Sequence, residues 1–183
     1  MKEIRIHGRG GQGAVTAGII LAQALFNDGK YVQTFPIFGV ERRGAPVAAF
    51  VRVGDTEVMQ RYNVYKPGDV IVLDRALIEM ESVNVYAGIR PNGHVFINDF
   101  GVMGERRIGD DYYIHNVHAT KIALKHGLGH QQAPIVNTAM VGVYLGYYRV
   151  PLEHGLAAVE KHSPFKTDAN KKAFEEGYNV WTT

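Results

Sequence analysis

Apolar and polar positions alternate over Glu3–His7, where Ile4 and Ile6 are apolar, and this predicts a short strand. The period then changes. From Ala14 to Asn27, residues Val15, Ile19, Ala22 and Phe26 recur at spacings of three and four, and Leu21 and Leu25 widen the stripe. That pattern predicts a helix with this stripe turned to the core, stopped at Asp28-Gly29. Tyr31–Phe35 is β-prone and predicts a second strand. Val47–Val53 and Thr56–Met59 flank Gly54-Asp55, a two-residue hairpin signal. The apolar run Val70–Leu73, ending at Asp74, predicts a strand buried on both faces, with a helical stretch from about Ala76 behind it. Pro91-Asn92-Gly93 turns into a strand at His94–Asn98, and Tyr112–His115 is a weaker strand. His118–His126 predicts a helix stopped by Gly127 and Gly129. Asn137 is placed to cap a helix through Tyr148, and Pro151 to open one through Lys161. A last helix spans Asp168–Glu176, with Asp168 or Thr167 as its cap. This order predicts an α/β domain over residues 1–183: a Rossmann-like, mostly parallel sheet with flanking helices and an inserted β-hairpin.

Composition narrows the chemistry. The 183 residues suit one well-packed domain. No apolar run approaches the roughly 18 residues of a membrane-spanning helix. The start MKEIRIHGRGG lacks the apolar region of a signal peptide, so no membrane association and a cytoplasmic location are expected. The chain has no cysteine, which excludes disulfides, a thiolate nucleophile, Cys-ligated zinc and a Cys-ligated iron–sulfur cluster within it. The net charge is +2, and Lys and Arg are scattered with no run beyond two, so no nucleic-acid partner is expected.

Gly8-Arg9-Gly10-Gly11-Gln12-Gly13 satisfies G-x-G-x-x-G between a predicted strand and a predicted helix. Two readings follow. The glycines permit close packing of helix on strand, or they let backbone N–H groups approach an anion at the helix N-terminus, with Arg9 adding a mobile positive charge. A dinucleotide site also needs an acid about 20 residues further on to hold the ribose. Tyr31-Val32-Gln33-Thr34-Phe35 offers neither that acid nor a basic residue for a 2′-phosphate, which argues against a nicotinamide dinucleotide.

The loop read together with residues 35–53 is specific. Gly10-Gly11-Gln12-Gly13, then Phe38-Gly39-Val40-Glu41-Arg42-Arg43-Gly44-Ala45-Pro46, then Val51-Arg52-Val53 occur in order. Val70-Ile71-Val72-Leu73-Asp74, Asn137-Thr138-Ala139-Met140-Val141-Gly142 and Phe174-Glu175-Glu176-Gly177-Tyr178 follow. In these stretches the chain strongly resembles the gamma subunit of the 2-oxoacid:ferredoxin oxidoreductases, in the pyruvate and 2-ketoisovalerate group. The resemblance implies an assembled enzyme that oxidatively decarboxylates a 2-oxo acid and passes the acyl unit to coenzyme A. Two electrons leave singly through 4Fe–4S clusters to ferredoxin. It implies thiamine diphosphate with magnesium between alpha and beta subunits, clusters on beta and delta subunits, and a Rossmann-like gamma chain with no cofactor of its own. In fused relatives the matching domain helps to contain coenzyme A. The wording ERRGAPV is closer to pyruvate enzymes than to 2-oxoglutarate enzymes, and 2-ketoisovalerate comes second.

Candidate site residues are therefore Gly8, Arg9, Gly10, Gly11, Gln12 and Gly13 for a phosphate-bearing ligand, and Glu41, Arg42, Arg43 and Gly44 for substrate, coenzyme A or a subunit interface. Arginine grips carboxylate and phosphate bidentately, and Glu41-Arg42-Arg43 reads equally as an ion-pair cluster. No catalytic residue and no metal ligand is assigned. The pairs His115/His118 and His126/His130 do not share a clean helix face with an acidic ligand. Tyr144, Tyr147 and Tyr148 suit either an interface or the core, and Trp181 is expected to dock on the body or on a partner. A chain of this kind is expected to be inactive alone. An NAD(P)-dependent dehydrogenase and a regulatory nucleotide-binding module are the rival readings.

Overall fold

Strand β1 (Lys2–Arg9) lies inside a seven-stranded sheet in the computed structural model, which describes residues 1–37, 44–60, 62–101, 103–108 and 111–181. Its alternation sorts its side chains. Ile4 and Ile6 are fully buried in the larger core, while Glu3, Arg5 and His7 take the other face. The chain continues through α1 (Ala14–Asn27), β2 (Tyr31–Ile37), β3 (Pro46–Gly54), β4 (Asp69–Val72), β5 (Gly93–Asn98), β6 (Gly104–Ile108), β7 (Tyr112–Val117) and α2 (Ala119–Lys125). A two-strand ladder of β8 (Gly129–His130) and β9 (Ala133–Pro134) precedes α3 (Asn137–Tyr147), α4 (Leu152–His162) and α5 (Thr167–Tyr178).

The sheet order is β2-β3-β1-β4-β5-β7-β6. Pairs β1–β4, β4–β5 and β5–β7 are parallel, whereas β1–β3, β2–β3 and β6–β7 are antiparallel. Strands β1, β2, β4, β5 and β7 thus run one way and β3 and β6 the other, so the predicted α/β, mostly parallel class holds. The five α-helices all bury residues in one core, on the Ile4/Ile6 face. The second face is closed by a smaller core of Val70, Val72, Leu77, Val85, Val95, Ile97 and Ile114. Among the described residues, no helix is long and apolar enough to cross a membrane.

The inserted hairpin is displaced from its predicted place. It joins β2 to β3, with Tyr31 opposite Gly54, rather than turning at Gly54-Asp55, and Thr56–Met59 is not a strand. Strand β3 already pairs on both edges, with β1 and β2, so it has no free edge for a further strand. The chain after Gly54 instead gives the carbonyls of Gln60 and Tyr62 to the guanidinium of Arg52, which is fully buried and also paired with Glu3. The helix expected from Ala76 is a single 3-10 turn, Arg75–Leu77. Beyond it the carbonyls of Val85 and Ala87 accept hydrogen bonds from Arg5, a use of the backbone that replaces a helical ladder.

Helix α1 has its predicted bounds, and Leu21, Ala22 and Leu25 of its predicted stripe are buried, but the stripe as a whole is turned. Ala17, Ile20, Leu21 and Ala24 are buried, whereas Ile19 and Phe26 are 36% and 60% exposed. Small residues decide this orientation. A Cβ on Gly18 would stand 3.1 Å from Thr34 Oγ1 and 3.4 Å from Ala49 Cβ, so this side of the helix lies directly on the hairpin. Two caps also differ. Lys166, at φ 48°, precedes α5 in place of a Thr167 or Asp168 cap, and Val136 occupies the cap position of α3, where Asn137 is the first helical residue. Trp181 docks on the body as expected, its indole N–H donating to the Val143 carbonyl at 2.8 Å.

Candidate functional site

The parallel strands β1, β4, β5 and β7 deliver their carboxyl ends to one edge of the sheet, where α/β folds place ligands. The glycine loop follows β1 at this edge. Gly13 takes the left-handed conformation, φ 79°, so that α1 can start at Ala14. Helix α1 has no side-chain cap and no acid in its first turn. Its first intrahelical bond is Ala17 N–H to Gly13 O, so the earlier amides find no acceptor within the helix. They leave partial positive charge at this end.

The loop is held by its own side chains and by two neighbouring segments. Arg9 Nε donates to Asp74 Oδ2 at 2.8 Å, and Gln12 Nε2 to the same oxygen at 3.1 Å. Gln12 Oε1 accepts from the Arg9 amide at 2.8 Å. Arg9 Nη1 reaches the Gly44 carbonyl at 3.3 Å, Gly44 N–H bonds Gly10 O, and Gly10 N–H bonds Ala45 O. Arg9 is therefore anchored, not the mobile charge expected. At the end of β5, Asn98 bonds Leu73 O and Thr120, and Asp99 pairs with Arg75 at 3.0 Å.

The glycines divide between the two readings. A Cβ on Gly8 would lie 3.1 Å from Ala14 Cβ and 3.2 Å from Leu73 Cδ1, and one on Gly13 would collide with the Asn137 amide. These two serve close packing. Gly11 is exposed at φ 94° and a Cβ there would meet nothing within 4 Å, so packing does not account for it. Glu41, Arg42 and Arg43 lie outside the described residues; Gly44, at φ 87°, ends that segment against Gly10 and Arg9.

The topology departs from a dinucleotide-binding fold next to β1. There the neighbour of the first strand is the parallel second strand, which carries the ribose acid. Here antiparallel β3 occupies that place and moves β2 to the sheet edge. The family pattern described as pyruvate ferredoxin/flavodoxin oxidoreductase matches residues 3–180. The chain belongs to this family.

Within the pyruvate ferredoxin/flavodoxin oxidoreductase family, it is 46% identical over 182 residues to pyruvate synthase subunit PorC of Methanothermobacter thermautotrophicus, covering 96% of each chain. It is 45% identical over 187 residues to the pyruvate/ketoisovalerate oxidoreductases common subunit gamma of Thermococcus kodakarensis, covering 98% of this chain and 96% of that one. The crystal structure of pyruvate oxidoreductase subunit PORC from Thermotoga maritima superposes with a TM-score of 0.75 at 34% identity, covering 97% and 95% of the two chains. These relatives bear out the reading as the gamma subunit of a pyruvate/ketoisovalerate ferredoxin oxidoreductase, and not that as an NAD(P)-dependent dehydrogenase.

A second polar cluster lies at the opposite, amino-terminal edge, and the sequence reading missed it. His94 Nδ1 is 2.9 Å from His115 Nε2, His115 Nδ1 is 3.3 Å from Glu105 Oε2, and the Tyr147 ring lies tilted against both imidazoles. His118 takes no part in this cluster and contacts the Gly101 carbonyl at 2.6 Å. Burial and the Glu105 charge push the Tyr147 hydroxyl up to about 12. A cavity of about 520 Å³ opens beside this cluster, lined by Lys2, Lys30, Arg90, Tyr144 and Tyr148 among others. Each cation is already answered by a carboxylate: Lys2 by Asp69 at 2.6 Å, Lys30 by Asp55 at 2.7 Å and Arg90 by Glu3 at 2.6 Å. Tyr144 is fully buried and donates to Asp69 at 2.7 Å, so the tyrosine-rich helix packs in the core. At the carboxyl edge, by contrast, the first amides of α1 have no acceptor within the helix and Gly11 has no packing neighbour.

Proposed function

We propose that this gamma chain carries no reacting group of its own and supplies a preformed anion-receiving edge for the phosphates of coenzyme A. Pyruvate is the favoured 2-oxo acid and 2-ketoisovalerate the second, on the wording of residues 41–47 and the names of the relatives. The partners are alpha, beta and delta subunits, with ferredoxin as acceptor, in the cytoplasm. The 4Fe–4S clusters belong to those partners, because a chain without cysteine offers no thiolates to ligate them. Thiamine diphosphate with its magnesium belongs to the alpha and beta subunits; when bound there it supplies the carbanion chemistry of decarboxylation. The rival regulatory nucleotide-binding module finds no support in the relatives.

The observation that carries this reading is Gly11: exposed, at a backbone angle that favours glycine, and next to the uncapped start of α1. Backbone amides at such a helix start bind phosphate without a dedicated cation. Gly11→Asp tests it. Asp tolerates left-handed backbone, and a carboxylate placed on this loop repels a phosphate received there. In the assembled enzyme the KM for coenzyme A should rise about tenfold. An unchanged KM would remove the loop from the ligand site.

A further inference from the structure

Asp74 was visible in the sequence only as the end of a buried strand. In the structure it is the junction of the glycine loop. One carboxylate oxygen accepts from both Arg9 Nε, at 2.8 Å, and Gln12 Nε2, at 3.1 Å. The other accepts from the Ala76 amide at 2.9 Å and so caps the 3-10 turn Arg75–Leu77. The Arg9 and Asp74 side chains are 28% and 23% exposed, which limits competition from water. Asp74 is itself carried by β4, whose continuation is tied to β1 by Leu73 N–H to His7 O at 2.8 Å. The carboxylate is therefore fixed to the rigid sheet, and the loop is fixed to the carboxylate.

A carboxylate beside an anion-receiving loop is unfavourable on charge alone. It also neutralises Arg9, the cation within the loop itself. What it supplies in return is geometry. Glycine-rich backbone has the most conformational freedom to lose, and a charged junction that holds both Arg9 and Gln12 removes that freedom before the ligand arrives. Arg9 extends the same junction to Gly44, so the glycine loop and the end of the segment entering β3 are held as one unit.

We propose that Asp74 is a positioning residue: it locks Arg9 and Gln12, and through them the glycine loop, in the conformation that receives the phosphates of coenzyme A. The proposal rests on the reading of the loop given above. The two effects of Asp74 have opposite signs, which makes it testable. Asp74→Ala in the assembled complex should raise the KM for coenzyme A about tenfold, and Asp74→Asn, which keeps one acceptor oxygen, about threefold. The KM for pyruvate serves as the internal reference and should stay within twofold; a structural defect spread through the complex would move both. A KM for coenzyme A that falls or stays level in Asp74→Ala overturns the proposal, since charge or nothing would then be its contribution.

If Asp74→Ala does not assemble, Arg9→Lys decides. It keeps the charge but loses the planar fork that spans Asp74 and Gly44, so a raised KM for coenzyme A is expected and an unchanged one contradicts the proposal. Gly11→Asp separates the two failures. If it raises the KM while Asp74→Ala does not, the positioning role falls and the loop reading stands; if neither moves it, both fall.

Discussion

His7 and His115 show what the sheet demands of single residues. His7 is 8% exposed on the polar face of β1, and burial, then the Arg5 charge, push its imidazole down to about 3. His115 is fully buried, 4.5 Å from the Phe96 ring, and burial, then His94, push it down to about 3 as well. Both stay neutral near pH 7. In the unfolded chain each titrates near 6.5, so between about 6.5 and 3 the unfolded state binds more protons. The stability that these neutral rings preserve is complete above about pH 6.5 and is lost as pH falls towards 3. The thermal midpoint of the isolated chain should drop between pH 7 and pH 5, and His115→Phe should shrink that drop. A midpoint equal at both pH values would contradict their buried, neutral state. At this scale the sequence was least informative. Arg9 and Asp74 are 65 positions apart, and only the parallel pairing of β1 with β4 brings their strand ends together.

Periodic elements were the most legible part of the chain. Helix α1, β1, β5 and α2 lie within two residues of their predicted ends, because each carries a clear two- or 3.6-residue pattern between turn residues. In α1, packing by small residues outweighed large apolar ones. The exposed Ile19 and Phe26 suggested one face, but Gly18 lies on the sheet and Ala17 and Ala24 are fully buried. The same economy joins α3 to α5. A Cβ on Gly142 would collide with the Phe174 carbonyl, one on Gly146 with the Tyr178 carbonyl, and one on Gly177 with the Ala139 carbonyl. Backbone cannot yield there as a flexible side chain could. Gly142→Ala should therefore destabilise the domain by about 1–3 kcal/mol by overpacking, despite the better helix propensity of alanine. Urea unfolding reads this directly, and a variant as stable as the parent would show that the helices can separate without loss. Strand β6 escaped the sequence reading because Glu105-Arg106-Arg107 has no apolar alternation; as an exposed edge it is guarded by charge.

At the scale of the molecule, the α/β class was legible from element order, and the family from the loop and the 38–46 stretch together. The candidate site was legible only in part. The glycine loop was found from its motif, but the division between packing glycines and the free Gly11 needed the tertiary contacts of Ala14, Leu73 and Asn137. The absence of cysteine gains meaning here: electrons cannot pass through clusters held by this chain, so its work depends on partners. The most direct measurement compares pyruvate- and coenzyme A-dependent reduction of a viologen dye by the purified chain alone and by the chain assembled with the proposed alpha, beta and delta partners. The account predicts no reduction by the lone chain and turnover by the complex. Turnover by the lone chain, or a complex equally active without it, would contradict it.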